Sequence, residues 1–230
     1  MIKWIFKWLF RLFILAVVLI VVFFLSLNSI LRVVIEHNIR AQTGLDAEIG
    51  RFKLGLLEPT VEIQNLKIYN STDFAGTQFL DIPEIHVEYD RAALAKREIH
   101  VTLLRFNLGE LDIVENEMGR TNIFSLGVAL PAKNSGLAGA LNFKRQTGFD
   151  FTGIDALNVS IGKARFIDLK NPQNDREQTI SIDDCVMNNV KSPADLGGLE
   201  LLIGLRSGDF FTSLVGGKSS GSDILKLLGQ

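Results

Sequence analysis

The 230-residue chain contains one cysteine, Cys185, so no disulfide can form within it and an oxidising compartment would supply no covalent staple. Its setting, "ISIDDCVMNN", makes Cys185 an apolar strand position with no histidine nearby in sequence. Histidine is itself scarce: His37, His86 and His100 lack metal-ligand spacing, and the last two fall on the polar phase of strand-like segments. An excess of charge is also missing. Lys and Arg number 24 and Asp and Glu 26, a net charge of −2, and no basic-aromatic stripe is present, so nothing points to nucleic acid. Asp183 and Asp184 are adjacent, which on a regular strand turns them to opposite faces instead of pairing them. "GGKSSG" at 216–221 resembles the end of a phosphate-binding loop, but Thr212 stands where the leading glycine is required. No catalytic activity, metal or cofactor is expected.

Charge is absent altogether from Leu12 to Leu31, "LFILAVVLIVVFFLSLNSIL". Twenty such residues in a helix span a hydrocarbon core of about 30 Å. The run is longer than a signal-peptide core and lacks a convincing small-residue cleavage site, so the sequence predicts an uncleaved membrane anchor. Lys3, Lys7 and Arg11 precede it without an acidic residue, which puts the N-terminus in the cytoplasm and the bulk of the chain outside. The two tryptophans, Trp4 and Trp8, sit where an interfacial aromatic belt would lie.

The chain as a whole is globular in composition, with 47% hydrophobic and 22% charged residues. Three regions are expected: the N-terminus, anchor and helical extension at 1–44, a β-domain at 45–192, and a glycine-rich apolar segment with short helices at 193–230. Gly44 is a plausible helix stop. Asp90 can cap a helical turn in "RAALAKRE". Residues 125–148, with four glycines and no clean period, read as a mobile insertion.

The strands share a rhythm. Val61, Ile63, Leu66 and Ile68 are spaced two, three, two; so are Leu80, Ile82, Ile85, Val87 and Val101, Leu103, Phe106, Leu108. Val159, Ile161, Ala164, Phe166 and Ile180, Ile182, Cys185, Met187 repeat it, and Asn70 and Asp168 hold the same place after their elements. This resembles an internal repeat of a two-strand unit. Either a β-bulge returns the apolar set to one face after each skip, or each skip ends a short strand. With polar residues such as Glu62, Gln64 and Lys67 between, the sheet has one wet and one apolar face. Between 45 and 190 only the piece near 91–98 reads as helix. The apolar face must therefore close on itself as a sandwich or barrel, or form a trough that meets a ligand or partner.

An N-terminal transmembrane segment followed by "TGLDAEIGRFKLGLLEPTVEIQNLKIYN" and "FLDIPEIHVEYDRAALAKREIHVTLLRFNLGELDIVENEMGRTNI" resembles the N-terminal part of AsmA-like proteins. The family's apolar strand element, short helical turn and "g..N" turn match Phe79–Asp90, Arg91–Lys96 and Gly119–Asn122. The resemblance covers roughly residues 1–125 and, through the repeat, 150–190 more weakly. It implies a single-pass protein of the Gram-negative inner membrane with a periplasmic β-domain. It also implies a curled, bulged antiparallel sheet forming a half-open groove, as in the related chorein-type bridge proteins, which carry phospholipid. The function so implied is lipid binding or transfer in outer-membrane biogenesis. The groove lining is then Val61, Ile63, Leu66, Ile68, Leu80, Ile82, Ile85, Val87, Val101, Leu103, Phe106 and Leu108, and the ligand is membrane phospholipid. The alternative is an assembly protein whose sheet edges pair with its own copies or with envelope partners.

Overall fold

A computed structural model describes residues 2–55, 57–125, 144–145 and 147–207; within these, the side chains at 2–7, 9, 20, 21, 24, 25, 124, 125, 193, 194 and 200 lie outside the description. Residues 208–230 of the expected C-terminal helical segment, including the second short helix, and most of the 125–148 insertion fall outside the described residues.

Helix α1 (Ile2–Thr43) ends where the sequence predicts: Gly44 takes a φ of +73° and its N–H bonds the Arg40 carbonyl at 2.9 Å. Among the described residues six strands come next: β1 (Asp46–Leu54), β2 (Thr60–Tyr69), β3 (Gln78–Tyr89), β4 (Glu98–Glu115), β5 (Asp150–Asp168) and β6 (Arg176–Val190). They form one open sheet in sequence order. Helix α2 (Arg91–Ala95) links β3 to β4, and Asp90 caps it as expected, accepting from the N–H groups of Ala92 and Ala93 at 2.7 and 3.3 Å. Helix α3 (Asn122–Ser125) follows β4, and α4 (Gly197–Ser207) follows β6. Among the described residues no helix is long and apolar enough to cross a membrane. The expected transmembrane anchor is therefore not shown by the structure; Ile20, Val21, Phe24 and Leu25 of the uncharged run have side chains outside those described.

Two expectations change. The sheet is not wholly antiparallel: β4 and β5 pair in parallel from Glu98↔Asp150 to Glu115↔Asp168. The 34 residues between Glu115 and Asp150 are ample for the crossover that a parallel pair requires. The strands are also fewer and longer than the segments suggested, because 98–115 and 150–168 each run unbroken for 18 and 19 residues.

The skipped beat is neither a bulge nor a strand end in β1–β5. Pairing of β1 with β2 keeps one register on both sides of it, from Asp46↔Tyr69 through Ile49↔Leu66 to Leu54↔Val61. The β2–β3 pairing does the same from Leu66↔Ile82 to Ile63↔Ile85. Leu108↔Ile161 and Leu111↔Ala164 likewise flank the skip in β5, and in β4 the phase change falls between Leu108 and Leu111, not between Leu103 and Phe106 where the sequence spacing puts it. All five strands change phase at one line, marked by Gly50, Asn65, Pro83, Gly109 and Gly162. The ladder opens there, which is where a proline inside a sheet is tolerated, and Asn65 adopts a φ of +53°. The result is a crease running across the strands. In β6 the line meets two bulges: between Val159↔Cys185 and Lys163↔Thr179, β5 advances four residues while β6 advances six, with Ser181 and Asp184 at φ +47° and +49°. A second three-residue step crosses β4–β6, from Val101 to Leu104, Ile154 to Leu157 and Met187 to Val190.

The repeat is visible in three dimensions. β2 and β5 each end in a buried polar residue, Asn70 or Asp168, and each passes through a single 3-10 turn (Thr72–Phe74 or Pro172–Asn174) into its antiparallel neighbour. Asn70 Nδ2 donates to Thr77 Oγ1 at 3.1 Å. Asp168 accepts from the N–H groups of Lys170 and Asn171 and from Asn174 Nδ2 at 2.9, 3.0 and 2.8 Å.

Candidate functional site: an apolar face between two helices

Residues on both sides of the crease pack into shared clusters, so the phase change keeps them on one face. Ile49, Phe52, Leu66 and Ile82 form one cluster over β1–β3. Ile113, Leu157, Val159, Ile161, Ala164, Phe166, Ile180, Ile182 and Val190 form the other over β4–β6. Phe106 and Leu108 pack against both, joining them into one apolar surface.

A helix lies at each flank. Helix α1 presents two adjacent stripes at spacing i, i+4, i+8. Leu31, Ile35 and Ile39 pack on the first cluster. Asn28, Arg32 and Glu36 serve the outer edge of β1: Asn28 Oδ1 accepts from Leu54 N–H at 3.1 Å, Glu36 Oε1 from Ile49 N–H at 2.8 Å, and Arg32 Nη1 donates to the Gly50 carbonyl at 3.3 Å. On the other flank, Leu199 and Ile203 of α4 pack on the second cluster, while Arg206 Nη1 donates to the Ser181 carbonyl at 2.7 Å. Between the flanks, Val61, Ile63, Ile68, Leu80, Ile85, Leu104, Phe106, Leu108 and Leu111 stay half-buried.

Of the twelve residues expected to line a groove, Leu66 and Ile82 are buried in the first cluster, and Val61, Ile63, Ile68, Leu80, Ile85, Phe106 and Leu108 pack against it. Val87 lies opposite Leu104. Val101 and Leu103 belong to neither cluster: Val101 is buried and pairs with Ile154, and Leu103 pairs with Glu88. The β4 members of the face are Leu104, Phe106, Leu108, Leu111 and Ile113; Phe106 and Leu108 were expected there, and Val101 and Leu103 stood in the expectation where Leu104, Leu111 and Ile113 belong. It also missed Ala47, Ile49, Phe52 and Leu54, where β1 carries the same two-three-two spacing, and the Asn28–Arg32–Glu36 stripe.

The far end of the sheet, where β2, β4 and β5 finish, is tied by Asn122 of the "g..N" turn, 1% exposed. Its amide donates to Asn70 Oδ1 and the Asp112 carbonyl at 3.0 and 2.9 Å, and its oxygen accepts from Val114 N–H at 3.1 Å. On the opposite face, Arg165 holds both oxygens of buried Asp112, Nε–Oδ1 at 2.9 Å and Nη2–Oδ2 at 2.6 Å, and also meets Glu110. Those bonds to Asp112 raise the Arg165 pKa above its ordinary value, while burial, then the nearby Asp112 charge, pushes the Glu110 carboxyl up. A fork-on-carboxylate pair of this kind fixes two strands and leaves no group for chemistry. A solvent-facing recess of about 370 Å³ at the crease is lined by Glu48, Gly50, Asn65, Lys67, Asp81 and Pro83. Its charges alternate across β1–β3, Glu48↔Lys67↔Asp81. His86 and His100 contact Glu88 and Asp155, at 3.2 and 3.1 Å, on the polar face. Among the described residues no three His, Cys, Asp or Glu side chains are placed to hold a metal. Cys185 packs against the second cluster as an apolar strand position.

No protein-family model, no curated protein and no solved structure matches this chain.

Proposed function

We propose that this chain is a membrane-anchored lipid-binding protein whose creased sheet forms a half-open groove for phospholipid acyl chains. The observation that carries the reading is the single apolar surface from β1 to β6, flanked by α1 and α4 with half-buried residues between. The anchor is the uncharged run Leu12–Leu31, with Lys3, Lys7 and Arg11 on the cytoplasmic side. Its support is that the consecutive residues Leu12, Phe13, Ile14 and Leu15, which cover every direction around a helix, are 58, 66, 46 and 54% exposed. A helix apolar all round belongs in hydrocarbon. The remainder is assigned to the periplasm of a Gram-negative envelope, with lipid transfer or outer-membrane biogenesis as its role.

Binding is passive: each methylene moved from water to the apolar face contributes about 0.8 kcal/mol. One acyl chain gives only marginal retention, which favours a two-chain phospholipid over a fatty acid. Six strands at about 4.8 Å apart give roughly 24 Å along the crease, a lipid-sized site and not a bridge between membranes. Pairing through the sheet edges has less support: α1 side chains occupy part of the β1 edge and bulges break the β6 edge.

Lipid mass spectrometry on the full chain purified in detergent tests this against the double substitution Ile85→Asp, Phe106→Asp. The parent should carry more phospholipid per chain than the variant, since the anchor's own lipid annulus is common to both. Equal phospholipid in two chains of equal secondary structure would remove the groove from the reading.

A further inference from the structure

The orientation of α1 fixes which end of the sheet lies nearest the uncharged run. Asn28 bonds Leu54 and Arg40 meets Asp46 at 3.1 Å, so α1 runs antiparallel to β1 and its residues before 28 project past the Leu54 end. That end also carries the β1–β2 loop, helix α2, the start of β5 and the close of β6.

Three exposed large apolar side chains lie there; Leu201, Leu202 and Leu205 of α4 are exposed as well, on the β6 flank. Outside α1 and α4 the described ones are Leu57, Leu94, Met118, Phe151 and Val186. Leu57 on the β1–β2 loop, Leu94 on α2 and Phe151 at the start of β5 all sit at this end, and Leu57 is 92% exposed. Met118 lies at the opposite end and Val186 on β6. Lys96 and Arg97, just after Leu94, and Lys191, beside the start of β5, are exposed at the same end. Three nearby carboxylates are engaged: Asp90 caps α2, Asp150 meets Lys144 at 2.7 Å, and Asp195 accepts from the N–H groups of Lys191 and Ser192; Glu98, next to Arg97, is half-buried. Glu58 is the exposed acid beside Leu57.

We propose that this end of the sheet is a membrane-docking rim: Leu57, Leu94 and Phe151 enter the headgroup boundary of the bilayer that holds α1, and Lys96, Arg97 and Lys191 meet anionic phospholipid. Apolar tips beside basic residues are the combination that binds an anionic interface. The inference rests on the anchor reading and adds to it that the groove stands directly on the bilayer.

The test uses the full chain with Cys185→Ser and single cysteines in place of Leu19, Leu57, Phe151 or Met118, each labelled with an environment-sensitive fluorophore. Each is placed in vesicles of phosphatidylethanolamine and phosphatidylglycerol containing lipid-borne quenchers. Labels at 19, 57 and 151 should shift to the blue and be quenched, while the label at 118 stays in water. Labels at 57 and 151 in water with 19 in the bilayer would overturn the rim and leave the anchor standing. Water at 19 as well would overturn both, and quenching at 118 equal to that at 57 would overturn the rim by showing non-specific adsorption.

Discussion

Replacing Gly162 by alanine tests the crease at its tightest point. A Cβ built on Gly162 meets the Gly109 carbonyl oxygen well inside van der Waals contact, with the carbonyl carbon at 3.3 Å and Cα at 3.5 Å. The obstacle is the backbone of a parallel neighbour, which no rotamer change can move aside. Roughly 1 Å must open between the new Cβ and the Gly109 oxygen to restore an ordinary carbon–oxygen separation. Overpacking of this kind costs about 1–3 kcal/mol. Two other glycines calibrate the result. Gly198 has nothing within 4 Å, so Gly198→Ala should stabilise α4 by up to about 0.5 kcal/mol. Gly44 also has open space but a φ of +73°, so Gly44→Ala isolates backbone strain at about 1 kcal/mol. The order of stability should be Gly198→Ala, then Gly44→Ala, then Gly162→Ala. The extremes should lie roughly 5–10 °C apart in a chain of this size. Thermal melts followed by circular dichroism in detergent micelles measure it. A Gly162→Ala chain melting with or above Gly44→Ala would show that β4 and β5 do not approach this closely, and the shared crease would fall with it.

Asn122→Ala removes four side-chain hydrogen bonds, three of them to Asn70, Asp112 and Val114, and should cost about 3 kcal/mol at roughly 1 kcal/mol for each of those three stranded partners, read from urea unfolding. Hydrogen bonds from Asn174, then from the Asn171 and Lys170 N–H groups, lower the Asp168 pKa. Its contribution is therefore complete above the unfolded value of about 3.9 and is lost as pH falls through the lower native value. Asp168→Asn should lose stability at neutral pH and show less further loss on acidification. Glu110 has the opposite sign: its raised pKa makes the ionised form a burden, so Glu110→Gln should gain on the parent as pH rises through the Glu110 value. A Glu110→Gln difference that is flat with pH would refute that assignment.

The sequence made the strands and their one apolar face legible, because a two-three-two rhythm in five segments exceeds what scattered apolar residues produce. It could not separate a bulge from a crease. That distinction lies in the pairing between strands, where Asn65 faces the gaps at Gly50 and Pro83 and every neighbour slips phase together. The error in β4 has a similar origin. Leu103 and Leu104 are both apolar, and only the partners Val87 and Leu157 show that Leu104 carries the face. Parallel pairing was hidden because the chain between β4 and β5 has no period to reveal its path. Asp90 and Gly44 were readable in advance because capping depends on neighbours a few residues away. The Asn28–Arg32–Glu36 stripe was not, since those side chains act on β1 and lie within or beside a run that hydropathy alone seemed to explain.

That stripe gives the sheet a direction. One edge is clasped by the same helix that carries the uncharged run, so a strand added there would have to displace Glu36 from Ile49 and Asn28 from Leu54. The other edge is reached last by the chain, and the two-strand repeat, β2–β3 then β5–β6, shows the unit in which such a sheet is written. Each further unit would lengthen the crease by roughly 10 Å at the ordinary strand spacing and leave the clasp untouched. The architecture behaves like a ruler held at its zero mark, with its reach set by the number of repeats and its foothold independent of them.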